Sequence, residues 1–353
     1  MLTKRLGVFM VILLLVSCQT THKHYVCPPC NLDCDDLTFS GPGQCPNCRM
    51  TLIPKQMLAT VAIRAGSGYF QMAGYREHPI TIFYHKPPNY RPSSEIILVI
   101  PGSGRSAPEY RDAWIDASET FGWLIISPMY PERFYGFKDY HLAGLLDTSN
   151  LMAHVTMRAD AHIAKLDETQ VNFTINPRPE EWMFADFDRI FDLVKETLRA
   201  TQNQYHLYGH SAGAHILHRL ALFGESQKVG QILAANASFY TLPDTTVAFP
   251  FGLDGAPLDA KGLKRAFRKK FVLLLGELDN AQETKGTFLH SPTANQQGMH
   301  RLARGKYFFT AAEQAARNRQ VPFHWQLKII PGVGHDHAGM AEAAAKLLSP
   351  SED

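Results

Sequence analysis

The sequence predicts an α/β fold, a mostly parallel sheet with helices on both faces, behind a small cysteine-rich module. Three observations predict it. From about residue 68 onward, apolar runs of strand length alternate with amphipathic helical stretches. Runs such as Ile96-Ile97-Leu98-Val99-Ile100 and Phe271-Val272-Leu273-Leu274-Leu275 are apolar throughout rather than alternating, as strands buried on both faces are. Five of the six cysteines fall between Cys27 and Cys48, and residues 49–353 hold none.

The chain opens on Lys4 and Arg5, followed by the apolar run Leu6 to Val16, too short to span a bilayer as a helix. It reads as a signal segment over 1–17. A polar tether (18–25), a cysteine module (26–55) and the large α/β domain (56–353) follow. In that domain the expected strands lie near 68–73, 79–85, 96–100, 123–126, 205–209, 231–235, 271–275 and 324–330. Ser127-Pro128 is expected to stop the fourth. Helices are expected over 107–120, 181–200, 212–223, 309–318 and 338–348. In the second of them Phe187, Ile190, Phe191, Val194 and Leu198 follow the spacing of one buried face. Residues 131–180 lack clean periodicity and are expected to form a cap or side wall. With 35 Lys+Arg against 33 Asp+Glu and no block of five or more like charges, neither a nucleic-acid partner nor a polybasic membrane surface is expected.

Gly209-His210-Ser211-Ala212-Gly213 fits GxSxG, with a strand-like run before it and a helix-like run after it. A serine on so sharp a turn needs small neighbours, and Gly209 and Gly213 supply the room. Its hydroxyl is a poor nucleophile without a base, and the base needs an orienting acid. In this fold the order is serine, acid, histidine. The strand at 271–275 runs into Gly276-Glu277-Leu278-Asp279, so Asp279 is the expected acid and Glu277 the alternative. The last strand runs into Gly332-Val333-Gly334-His335, so His335 is the expected base and His337 the alternative. His210 is expected to pack around the turn. An oxyanion needs two fixed donors. Ala212 N–H is one candidate, and Ser103 or Gly104, in Pro101-Gly102-Ser103-Gly104-Arg105, gives the other. Arg105 reads as a surface residue or as a group for an anionic substrate. Arg301 and Arg304 read as clamps on a loop or as site-lining residues.

These blocks, Ile97 to Gly104, Gly209 to Gly213, Gly276 to Asp279 and Gly332 to His335, resemble those of α/β-hydrolases. The nearest likeness is to the secreted esterase and polyhydroxybutyrate-depolymerase-like branch, over about residues 60–350. The resemblance implies a serine hydrolase cleaving carboxylic esters of small-molecule or polymer substrates, with no cofactor for catalysis. A peptidase or amidase on the same triad is one alternative; a non-catalytic metal-binding or cell-surface protein is another. Pro101 stands where many relatives have His.

Cys27-Pro28-Pro29-Cys30 and Cys45-Pro46-Asn47-Cys48 are two CPxC knuckles whose four thiolates could hold one zinc ion tetrahedrally, with Cys34 as a substitute ligand. The segment from Tyr25 to Pro54 resembles the small heavy-metal-binding domain of metal-transport proteins. A structural zinc in a zinc-ribbon-like module is expected, since about 30 residues cannot build a sufficient core. Metal delivery and disulfides remain alternatives. Leu15-Val16-Ser17-Cys18 resembles the lipobox of bacterial lipoproteins, which implies cleavage before Cys18, lipidation there, and a membrane anchor on the periplasmic or cell-surface side.

Overall fold

Eight strands form the central sheet: β1 (Gly66–Ala73), β2 (Pro79–Lys86), β3 (Ile96–Ile100), β4 (Leu124–Met129), β5 (Tyr205–His210), β6 (Val229–Ala235), β7 (Lys270–Gly276) and β8 (Gln326–Ile330). Their order is β8-β7-β6-β5-β3-β4-β2-β1. β1 with β2 and β2 with β4 pair antiparallel; every other pair is parallel. This computed structural model describes residues 24–27, 32–50, 52–54, 62–157 and 162–350. The expected signal segment, Cys18 and Cys30 lie outside the described residues. Two compact units divide the chain, with the boundary after Met57. Among the described residues no helix is long and apolar enough to cross a membrane.

The all-apolar strands are explained by their two covered faces. Alternate residues of β3 face opposite ways. Ile96, Leu98 and Ile100 join one core with Phe187, Ile190, Phe191 and Val194 of helix α3 (Phe184–Leu198) and Ile216, Leu217 and Leu220 of α4 (Ala212–Phe223). Ile97 and Val99 join a second core with Tyr110, Trp114, Met340, Ala341 and Ala344. Each such buried large side chain contributes about 1.5–3 kcal/mol.

Some boundaries differ from expectation. The helix expected over 107–120 is two, α1 (Ala107–Asp112) and α2 (Ile115–Phe121), because the break turns Trp114 inward onto Tyr208 at 5.2 Å. β4 continues through Pro128 to Met129; its pairing with β3 has ended at Ile126, so the missing N–H leaves no gap in that ladder. The helix expected from 309 begins at Arg301, where His300 Nδ1 caps Ala303 N–H, and runs to Asn318 as α5. α6 spans His337–Leu348. Residues 131–180 hold short strands: Leu146–Ser149 pairs with Phe173–Ile175, while Val155–Met157 and Ile163–Leu166 form a three-stranded sheet with Phe288–His290. In the N-terminal unit three two-residue strands, Thr38–Phe39, Tyr25–Val26 and Ile53–Pro54, pair antiparallel.

Candidate active site

Ser211 sits on the turn between β5 and α4 with φ 57° and ψ −113°, a conformation costly for a residue with a side chain. Its neighbours explain how the turn survives. A Cβ on Gly213 would stand 2.2 Å from Ile100 O, and one on Gly209 2.6 Å from Gly213 O. Only glycine fits at either position. The Ser211 N–H donates to Ala235 O at 2.9 Å, tying the turn to the end of β6.

The ends of β7 and β8 bring the other two groups to this turn. His335 Nε2 lies 3.1 Å from Ser211 Oγ, and His335 Nδ1 lies 2.8 Å from Asp279 Oδ2. With Nδ1–H donating to the carboxylate, Nε2 is left to accept the serine proton. Asp279 and His335 are buried, while Ser211 is partly exposed. Burial holds the His335 pKa below its ordinary value; the bond to Asp279 opposes that, and the nearby Arg301 cation reinforces it. The neutral, proton-accepting form therefore persists into mildly acidic solution.

Three further residues hold this geometry: Arg301, read in the sequence as a loop clamp or a site-lining group, and Glu283 and Asn236, which the sequence does not single out. Arg301 Nη1 donates to Asp279 Oδ1 at 3.1 Å, and Nη2 donates to Thr287 O at 3.0 Å. Asp279 thus presents one oxygen to the imidazole and the other to a buried guanidinium. Glu283 Oε2 accepts the N–H of His335 at 2.6 Å, while its Oε1 accepts those of Thr284 and Lys285. Although burial opposes it, these backbone donors hold the Glu283 carboxyl below its usual range. Asn236, just past β6, donates to Gly334 O at 3.1 Å and accepts from Gly276 N–H at 2.9 Å. One amide so ties the acid-bearing strand to the histidine loop.

The alternatives lie elsewhere. Glu277 is exposed and accepts Gly332 N–H; His337 stacks on Tyr110 at 4.5 Å between ring centres. His210 is buried beside the triad, its Nδ1 3.1 Å from Tyr110 Oη. Ala212 N–H opens α4 beside Ser211. Gly102 brings the loop after β3 against the turn, since a Cβ there would lie 3.5 Å from Ser211 Cβ and 2.7 Å from Tyr110 Oη. Ser103 and Gly104 follow it, both exposed; among the described residues neither N–H, nor that of Ala212, donates to a backbone carbonyl. Tyr140 donates to Pro101 O at 2.7 Å, which holds the start of the loop.

Arg105 is buried, not a surface residue. It donates to Ser103 O, Tyr130 O and Tyr135 O, and its guanidinium lies 3.5 Å over the Tyr140 ring. Arg304 is likewise a loop clamp, donating to the carbonyls of Gly298, Ser238 and Leu289. Arg301 is more than a clamp, because its partner is the carboxylate. Its signal in the sequence was weak, since nothing local links position 301 to position 279.

In the N-terminal unit the Sγ atoms of Cys27, Cys34, Cys45 and Cys48 all lie within 4.8 Å of one another. Cys30, expected as the fourth ligand, lies outside the described residues, and Cys34 makes up the four. A tetrahedral zinc with sulfur at about 2.3 Å separates its ligands by about 3.8 Å, so the set fits a structural metal. Three of the thiols are buried, and although burial opposes it, backbone and thiol hydrogen bonds around Cys48 and Asn47 bring the Cys45 pKa down to about 7, toward the thiolate that binds metal.

Neither protein-family models nor curated protein sequences match the chain. Solved structures do. Poly(aspartic acid) hydrolase-1 from Sphingomonas sp. KT-1 is 31% identical over 81% of this chain and 99% of its own, with a TM-score of 0.68. The poly(3-hydroxybutyrate) depolymerase from Bordetella parapertussis is 28% identical over 80% of this chain and 90% of its own, with a TM-score of 0.67.

Proposed function

This chain belongs to the α/β-hydrolase family of hydrolytic enzymes, and on that premise we propose that it cleaves carboxylic esters with Ser211 as nucleophile, His335 as base and Asp279 as orienting acid. The observation that carries the reading is the unbroken relay Ser211–His335–Asp279, at 3.1 and 2.8 Å. Ser211 Oγ attacks the ester carbonyl as its proton passes to His335 Nε2. The resulting oxyanion is met by Ala212 N–H and by Ser103 or Gly104 N–H. His335 then gives the proton to the departing alcohol, leaving an acyl group on Ser211. Water, activated by the same Nε2, releases the acid. Asp279, fixed by Arg301, stabilises the imidazolium formed in each half.

The arginines favour a neutral substrate. The depolymerase and the poly(aspartic acid) hydrolase differ in the charge of the polymers named for them. A polyanion calls for cations at the mouth, yet Arg105, Arg301 and Arg304 are all turned onto protein acceptors. We assign an uncharged ester, small or polymeric, with the 131–180 segment as the selecting wall. Hydrolysis of p-nitrophenyl butyrate by the wild-type chain and not by Ser211→Ala tests this; equal turnover by both refutes it.

Two further proposals concern the N-terminus. The four thiols hold one structural zinc that staples the small unit. Lys4, Arg5, the apolar run and Leu15-Val16-Ser17-Cys18 support export and a lipid anchor at Cys18, placing the enzyme on the outer side of a bacterial membrane. Incorporation of labelled palmitate that survives in Cys18→Ala would overturn the anchor.

A further inference from the structure

A second chain of hydrogen bonds runs outward from α4, and the reaction above does not use it. His215 stands one helical turn beyond Ser211, about 6 Å along the axis, and its N–H donates to Ser211 O at 3.1 Å. Its ring is buried. The backbone N–H of Ser238 donates to His215 Nε2 at 3.0 Å, with Ser238 Oγ 3.1 Å from the same atom. A peptide N–H can only donate, so His215 Nε2 carries no proton and its proton sits on Nδ1. That atom faces His141 Nδ1 at 3.3 Å. His141 therefore accepts at Nδ1 and carries its own proton on Nε2.

The neighbours fix this state. A second proton on His141 would point at the proton of His215. Arg219 donates to His141 O at 2.9 Å and to His215 O at 3.0 Å, so a buried cation is tied to the backbone of both residues. Burial holds both imidazoles well below their ordinary pKa; the Arg105 and Arg219 cations add to this at His141, and Arg219 adds to it at His215. The His141 ring stacks on Phe137 at 4.4 Å and is only half-buried. Its Nε2 takes no partner among the described residues and is not enclosed. Its supports are tied to the segments around the nucleophile. Tyr140 holds Pro101 at the start of the oxyanion loop, and Ser238 lies three residues past Ala235, the acceptor of the Ser211 N–H.

We propose that His141 Nε2–H is a substrate-binding donor, a fixed and uncharged group that takes a second carbonyl oxygen of the substrate outside the scissile ester. It rests on the ester-hydrolase reading above. An uncharged donor suits a neutral carbonyl, so the substrate class is a diester or oligoester, whose neighbouring unit supplies that oxygen. An imidazolium, suited to a carboxylate, is what the hydrogen-bond chain prevents.

The test compares p-nitrophenyl 3-acetoxybutyrate, which has a second ester carbonyl, with p-nitrophenyl hexanoate, which has a similar chain and none. The expected wild-type kcat/KM favours the first by about tenfold, the size of one hydrogen bond. In His141→Phe that ratio collapses toward one, and in His141→Gln, whose amide N–H reaches a similar point, most of it returns. A ratio the same in His141→Phe as in wild type overturns the donor while leaving the esterase reading intact. A wild-type chain that hydrolyses neither ester overturns both. Should His141→Phe not fold, long-range proton–nitrogen NMR of the intact Ser211→Ala chain decides: a protonated Nε2 and bare Nδ1 on His141 between pH 6 and 8 supports the donor, and the opposite tautomer or a cation refutes it.

Discussion

Replacing Arg301 by methionine isolates the charge that stands behind the acid. Methionine follows the arginine stem for four atoms and fills apolar space, but it ends short of the guanidinium and donates nothing to Asp279 Oδ1 or Thr287 O. The pair is buried on both sides, with side-chain exposures of 3% and 1%, and its contact is 3.1 Å. Removing one partner of such a pair leaves a charge without compensation and costs about 3–5 kcal/mol. His335 responds as well. The Arg301 cation is one of the groups holding its pKa down, so its removal raises that pKa. The acid limb of kcat/KM against pH then moves to higher pH, and turnover falls by up to about 100-fold as the carboxylate loses its fixed orientation. Arg301→Lys keeps the charge but cannot span both acceptors, so it should lose part of the stability and leave the acid limb close to wild type. Urea unfolding and pH-rate profiles on p-nitrophenyl butyrate are the assays. An unfolding free energy for Arg301→Met within about 1 kcal/mol of wild type, with an unmoved acid limb, would refute the reasoning.

Three further outcomes are expected. Gly213→Ala puts a methyl group 2.2 Å from Ile100 O, below the 3.0 Å that real Cβ contacts keep, so the turn must shift; the expected loss is about 1–3 kcal/mol in urea unfolding together with most of the activity. His141, His210, His215, His218 and His335 all have folded pKa values below that of a free imidazole. Their contribution is full above about pH 6.5 and is lost as pH falls from there toward the folded values, each by up to about 1.4 kcal/mol per pH unit; urea midpoints that do not fall between pH 7 and pH 5 would contradict this. Elemental analysis of the full chain should find about one zinc per molecule, reduced in Cys45→Ser; equal content in the two would count against the four-thiol site.

Much of the site could be read from the sequence because its groups sit at strand ends, and strand ends are local signals. The apolar run of β7 points to Asp279, the run of β8 points to His335, and two glycines mark the turn at Ser211. What could not be read is what depends on contacts between distant segments. Arg301 meets Asp279 only because α5 begins eight residues earlier than its apolar pattern suggests and packs against the end of β7. Arg105 looks like a surface residue in sequence, yet three carbonyls and the Tyr140 ring draw it inside. Asn236 ties the end of β7 to the loop after β8 from a position with no motif around it. The same limit explains residues 131–180, whose three- to four-residue strands are too short to show a period. The thiols are partly legible: Cys34 lies outside both CPxC pairs and reads as a substitute ligand, and the fold brings it into the cluster.

The account stands on Ser211 being the activated hydroxyl, and labelling tests that most directly. Intact protein treated with a stoichiometric fluorophosphonate, digested and sequenced by mass spectrometry, should carry one adduct, on the peptide containing Ser211, with labelling abolished in His335→Ala. An adduct on another serine, or labelling of Ser211 that proceeds as fast without His335, would contradict it.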